Sequence, residues 1–213
     1  MDPTDTGVTA VREVGPDAVA LELETPDGFD ARPGQFVKLS ATVDGEEEAR
    51  FYTISSPDVE GTFELTISYD PDEGGAFSAY LTNIEAGDTV TVAGPFGSDF
   101  YEGEAQVLVL AGGPGVGPAV GIAEAALADG HEVCVVYLDD APMHEDRLAA
   151  VSAEGGEVFV ISDADAVADA VAEVYADDQQ LFVYGFADFL DVATSAVDAA
   201  GGTTETAKIE NFG

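Results

Sequence analysis

The run Val107-Leu108-Val109-Leu110-Ala111 leads directly into Gly112-Gly113-Pro114-Gly115-Val116-Gly117-Pro118. No other feature of the chain restricts its fold as much. A strand apolar at every position has both faces covered, as in a parallel sheet between layers of helix. The glycines permit a tight strand-to-helix turn, and Pro118 suits the first turn of a helix, where its missing amide costs nothing. The same rhythm continues to the end of the chain. Segments 133–138, 157–161, 181–184 and 205–209 read as strands, and 118–128, 145–151, 164–175 and 189–199 read as helices. This is the pattern of an alternating α/β domain.

The first half has a different rhythm. Short alternating segments at 19–23, 35–39, 51–54, 62–69 and 89–93 read as strands. Turn signals separate them, among them Pro26-Asp27-Gly28, Asp44-Gly45 and Ala86-Gly87-Asp88. One short helix fits at 75–83. Closely spaced short strands of this kind predict an antiparallel barrel. The change of rhythm falls near Gly94-Pro95-Phe96-Gly97, dividing the chain into 1–98 and 99–213.

Charge narrows the function classes. Asp and Glu number 43 against 6 Lys and Arg, a formal net charge of −37. A chain this acidic lacks the basic face that nucleic-acid phosphates require, and it is repelled by anionic membranes. With 46% hydrophobic residues it can still bury a core. At molar salt the Debye length falls to about 3 Å and the self-repulsion is screened. The composition therefore predicts a protein of a high-salt cytoplasm. No charged-then-apolar leader opens the sequence, and no apolar run approaches the roughly 18 residues of a membrane span. The single cysteine, Cys134, allows neither an intrachain disulfide nor an all-cysteine iron–sulfur site. It reads as a small buried hydrophobe. His131 and His144 lack the further ligands of a metal site, so no metal is expected.

Three segments have residues suited to ligand chemistry. In Arg50-Phe51-Tyr52-Thr53, alternation places Arg50 and Tyr52 on one face and Phe51 and Thr53 on the other. A guanidinium holds phosphate and a phenol stacks on a flat heterocycle; the same residues also suit a surface ion pair and a barrel aromatic. Gly74-Gly75-Ala76-Phe77-Ser78 brings glycines, a hydroxyl and helix amides together, or serves as a plain cap. Gly112-Gly113-Pro114-Gly115 has the form of a nucleotide-binding turn, or of a tight turn without ligand.

The order of these segments resembles the ferredoxin–NADP reductase superfamily. The likeness rests on Arg50-x-Tyr52-Thr53, Gly75-x-x-Ser78, Gly94-Pro95-Phe96-Gly97 and the glycine-rich turn at 112–118, helped by Pro33-Gly34-Gln35-Phe36-Val37. It implies a six-stranded flavin-binding barrel followed by a parallel-sheet nucleotide domain, with hydride passing at the cleft between them. It further implies that Arg50, Phe51, Tyr52, Thr53, Ser55, Ser68, Gly74, Gly75, Ala76, Phe77 and Ser78 face the flavin. Gly112, Gly113, Pro114, Gly115, Asp139, Asp140, Gly185 and Phe186 would face the nicotinamide nucleotide. Thr53, Glu210 and Phe212 would stand at the reacting centre, the last two in a Glu-x-Phe ending similar to that of some members.

The resemblance implies an NAD(P)H-dependent flavin oxidoreductase that hands electrons to a carrier such as ferredoxin or to a small acceptor. FAD is favoured over FMN because Gly75-x-x-Ser78 is of the pyrophosphate-binding kind. NADH is favoured over NADPH because Asp139 and Asp140 follow the second α/β strand, where a carboxylate repels a 2′-phosphate; both also suit plain surface charge. Two positions depart from the family pattern. Pro114 stands where a threonine is usual, and Tyr184-Gly185-Phe186 replaces Cys-Gly-Pro. These departures motivate the alternative of a flavin-binding electron-transfer subunit with little or no direct nicotinamide activity.

Overall fold

The computed structural model describes residues 1–69 and 75–213. Six antiparallel strands come first: β1 (Thr4–Gly15), β2 (Ala18–Glu24), β3 (Phe36–Val43), β4 (Glu46–Thr53), β5 (Thr62–Ser68) and β6 (Thr89–Phe96). Their spatial order is β4-β3-β6-β1-β2-β5. An antiparallel bridge between Ile54 and Leu65 links the two outer strands and closes the barrel. Inward residues such as Leu21, Leu23, Val37, Leu39, Leu65 and Ile67 fill it, and Phe77 and Leu81 of helix α1 (Ala76–Leu81) plug one side.

The second sheet is wholly parallel. Strands β7 (Gln106–Gly112), β8 (Glu132–Leu138), β9 (Glu157–Ile161), β10 (Gln180–Gly185) and β11 (Lys208–Asn211) lie in the order β11-β10-β7-β8-β9. Helices α2 (Val116–Ala128) and α3 (Glu145–Ala153) cover one face, and α4 (Val167–Val174) and α5 (Ala187–Ala199) the other. Val107 and Val109 pack toward α2, and Leu108 and Leu110 toward α5. This is why β7 is apolar at every position. Cys134 is buried in the α4/α5 layer, and burial pushes its thiol pKa up to about 12. Among the described residues no helix is long and apolar enough to cross a membrane.

The structure differs from the sequence expectations at several ends. Strand β1 escapes the periodicity reading because charged residues interrupt it and two bulges break its register with β2. Strand β4 begins at Glu46 rather than at 51, because Asp44 and Gly45, at φ 52° and 86°, form a hairpin turn that pairs Glu46–Glu48 with β3. The expected helix at 164–175 is a 3₁₀ turn, Ala164–Ala166, followed by α4. The last strand starts at Lys208 rather than 205. Lys208 Nζ bonds the Phe100 carbonyl and pairs with Glu102 and Glu104, fixing where β11 begins.

The two sheets meet along α2. A Cβ on Gly117 would lie 2.4 Å from Thr66 Oγ1 and 2.6 Å from Ser55 Oγ, and one on Gly121 2.7 Å from the Ser55 carbonyl oxygen. Glycine at both positions lets the helix rest directly on the barrel segment that follows β4.

Candidate functional site

A cleft of about 390 Å³ opens where the end of β4, the start of α2 and the end of β11 converge. Arg50, Phe51, Tyr52 and Thr53 enter it from β4, and Thr66 and Ser68 from β5. Ser78 comes from α1, Pro114 and Phe186 from the ends of β7 and β10, and Glu210 and Phe212 from the chain end. These residues are far apart in sequence, and the two sheets bring them to one seam.

Each group has a distinct environment. Tyr52 is largely buried, and its hydroxyl oxygen has no hydrogen-bond partner of ordinary geometry among the described residues. Burial pushes the phenol pKa up, against the Ser78 hydroxyl and the Arg50 charge. The Arg50 guanidinium is half exposed, 3.6 Å from Glu48, and lies over Gly75, whose Cβ position is 3.4 Å from Nη2. Across the seam, Thr53 Oγ1 donates to Glu210 Oε2 at 3.1 Å. Burial, with the Asp99 charge adding to it, pushes the Glu210 carboxyl up to about 7; the Thr53 bond acts the other way. Below Glu210, Tyr184 is wholly buried and its hydroxyl donates to the Asp99 carbonyl at 3.4 Å. At the mouth Phe186, 51% exposed, meets Phe212 edge to face at 6.1 Å between ring centres.

Not every expected residue faces the cleft. Ser55 is wholly buried, its hydroxyl bonded to Thr66 at 2.8 Å beneath α2, so it makes no wall of the cleft. Phe77 is wholly buried in the barrel core, because the helical turn that exposes Ala76 points the next side chain inward. Phe51 touches the rim but turns outward at 61% exposure, into a cluster with Phe36 and Phe96. Asp139 is turned back onto the Tyr137 hydroxyl and the Ala141 amide at 2.8 and 2.9 Å, while Asp140 is exposed. Gly112, Gly115 and Gly185 serve packing: a Cβ on Gly115 would lie 2.2 Å from the Tyr184 carbonyl oxygen, and those on Gly112 and Gly185 would strike Phe189. Gly113, at φ 54°, has open space where a Cβ would stand. Gly74 lies outside the described residues.

Other residues were missed in the sequence reading. Thr66 lines the cleft and shares a β5 face with Ser68, so strict alternation from Ser68 finds it. Asn211 lies between two residues that were found. His144 is buried, with Nε2 2.8 Å from Thr66 Oγ1, and burial beside Arg147 and Arg12 pushes its imidazole down to about 3. It holds the seam as a neutral group. Among the described residues no His, Cys, Asp and Glu groups are arranged to hold a metal.

Residues 6–101, which contain the barrel and its Arg50–Ser78 wall, match the family model described as "Oxidoreductase FAD-binding domain". This part of the chain is similar to FAD-binding oxidoreductase domains, among them those of ferredoxin–NADP reductases. Ferredoxin–NADP reductase B of Sorangium cellulosum is 34% identical over 150 residues, covering 68% of this chain and 61% of its own. The glycine betaine monooxygenase reductase subunit of Chromohalobacter salexigens is 43% identical over 101 residues, 45% of this chain and 26% of its own. The toluate 1,2-dioxygenase electron transfer component of Pseudomonas putida is 32% identical over 137 residues, 61% and 39%. The chain thus spans 26% to 61% of the length of these curated relatives. Among solved structures, a ferredoxin NADP+ reductase from Neisseria gonorrhoeae with bound FAD and NADP superposes with a TM-score of 0.82 at 16% identity, over 100% of both chains. The FAD-binding domain and the parallel sheet beside it therefore share the two-part fold of that reductase.

Proposed function

We propose that this chain binds FAD in the cleft and moves electrons from a reduced nicotinamide nucleotide, NADH in preference to NADPH, to a carrier protein or small acceptor. The observation that carries the reading is the buried Tyr52 hydroxyl, with no partner of ordinary geometry among the described residues, beside the half-exposed Arg50 guanidinium, both lining the seam between the sheets. An unsatisfied buried hydroxyl costs about 1–3 kcal/mol, and a ribityl or phosphate oxygen would satisfy it. Arg50 is one of only 6 cations in the chain, and an FAD pyrophosphate would give it a bidentate partner.

In this reading Arg50 and Ser78 hold the pyrophosphate, Tyr52 packs against the flavin ring, and the Thr53 hydroxyl faces its reacting edge. A bound flavin supplies the redox chemistry, taking up a hydride equivalent and releasing electrons singly or in pairs. The chain positions the groups and manages one proton. Glu210, with a carboxyl poised near neutral pH, holds or gives up a proton next to Thr53. Phe186 and Phe212 cover the mouth and keep water from the seam. The carriers implied by similarity are those of oxygenase reductases and ferredoxin reductases. Placement in a high-salt cytosol rests on the charge of −37.

A second reading also has an observation behind it. Pro114 and Phe186 stand where the nicotinamide end of the cleft would be, which supports a flavin-binding electron-transfer subunit with little direct nicotinamide activity. Anaerobic addition of NADH to the FAD-loaded protein separates the two. Bleaching of the flavin band supports the reductase. An unbleached flavin, still reducible by dithionite, supports the subunit.

A further inference from the structure

The chain spends two of its 6 cations on a single buried carboxylate. Glu64, on β5, pairs with Arg12 of β1 and with Arg147 of α3, the latter at 2.7 Å. Arg147 also forks onto Glu124 of α2, with Nε and Nη2 each 2.7 Å from a carboxylate oxygen. Its Nη2 donates as well to the Ser55 carbonyl at 2.7 Å. One guanidinium therefore holds two elements of the α/β half and two points of the barrel, and its side chain is only 20% exposed.

The placement of the Ser55 carbonyl matters. Ser55 stands two residues beyond Thr53, and its amide donates to the Glu64 carbonyl at 2.8 Å. The peptide gripped by Arg147 thus belongs to the short strap that presents Thr53 to Glu210. Glu210 itself sits on β11 of the other half. The Thr53–Glu210 distance is consequently set by how the halves are held, and Arg147 is the charged group that holds them at this strap.

We infer that Arg147 is a positioning residue, fixing the strap 53–56 and the angle between the halves so that Thr53 and Glu210 meet across the cleft. This rests on the reading of the cleft as a flavin site, and it extends that reading to a residue remote from the flavin-facing wall. An arginine is required there because a planar fork with several fixed donors reaches a carboxylate on each side and a carbonyl at once; an ammonium cannot. Loss of the fork leaves the partly exposed Glu124 without this partner and the buried Glu64 with Arg12 alone, which loosens the contact between the halves.

The test uses Arg147→Gln and Arg147→Lys in multimolar KCl, with and without FAD. In the flavin-free protein, amide hydrogen exchange is expected to rise at least tenfold in both 53–56 and 208–213 in Arg147→Gln, with the barrel core unchanged. In the FAD-loaded protein, full flavin content is expected to persist while the reduction rate at saturating NADH falls about tenfold and KM rises. Arg147→Lys keeps charge without the fork and should show both effects in weaker form; it also serves if Arg147→Gln does not fold. The proposal is overturned if exchange rises only around α3 and the rates are unchanged, with a lowered melting temperature as the sole effect. Loss of bound FAD from the wild-type chain would instead contradict the flavin reading and leave the exchange result to stand by itself.

Discussion

The Thr53 hydroxyl of the barrel donates to the Glu210 carboxylate of the parallel-sheet half at 3.1 Å. One residue closes β4 and the other lies in the strand that closes the chain, so the bond exists only when both halves are assembled. It also joins the two residues that the proposed function puts at the reacting edge.

Glu210 and His144 should pull stability in opposite directions with pH. The Glu210 carboxyl is raised from 4.5 to about 7, so the folded state holds its proton more tightly than the unfolded chain does. Its contribution is complete below about 4.5 and is lost as pH rises through 7. His144 is lowered from 6.5 to about 3. Its contribution is present above 6.5 and is lost as pH falls toward 3. In thermal melts across this range, Glu210→Gln should reduce the decline on the alkaline side, and His144→Gln the decline on the acid side. Parallel curves for wild type and either variant would contradict that assignment.

Gly117→Ala should loosen the seam. Its new methyl would meet Thr66 Oγ1 at 2.4 Å, and both neighbours are held by hydrogen bonds. Overpacking of this kind costs about 1–3 kcal/mol. Chemical denaturation should show that loss, and because Gly117 is helical with no positive φ, it reads the clash and not backbone strain.

A net charge of −37 makes salt a structural variable. Screening shortens the reach of repulsion to about 3 Å at molar ionic strength, and the melting temperature should climb steeply from dilute buffer to multimolar KCl. Differential scanning calorimetry over that series is the measurement, and a flat response would remove the high-salt reading.

Coenzyme choice follows from the end of β8. Asp139 is held by Tyr137 and the Ala141 amide, so it forms a fixed negative charge with the exposed Asp140 beside it. NADH should therefore give a higher kcat/KM than NADPH, and Asp140→Ser should narrow the gap. Equal turnover with both coenzymes in the wild-type protein would contradict this.

How far the sequence was legible depends on the kind of information each element holds. Continuous apolar strands such as β7 and β8 announce themselves because burial on two faces forbids polar residues. The β4 wall was legible because an arginine within a strand is conspicuous when cations are so few. Strand β1 was not, since its ladder is bulged and its charged residues point outward. Of the candidates, Arg50, Tyr52, Thr53, Ser78, Phe186 and Glu210 line one cleft. Ser55 misled because it follows the β4 motif, while its burial depends on α2, some sixty residues away. The Arg147 fork was invisible for the same reason: its partners Glu64, Glu124 and the Ser55 carbonyl become neighbours only when the halves meet.

The most direct test is FAD binding in multimolar KCl by the wild-type chain and by Arg50→Ala, Tyr52→Ala and the double variant, followed by flavin fluorescence. Losing a charge-assisted bond of about 1.5–3 kcal/mol should weaken binding roughly 10- to 100-fold for Arg50→Ala. Tyr52→Ala should also weaken it, and the double variant should come out colourless. A double variant that keeps its full complement of FAD would contradict the account, because the flavin would then lie somewhere other than this cleft.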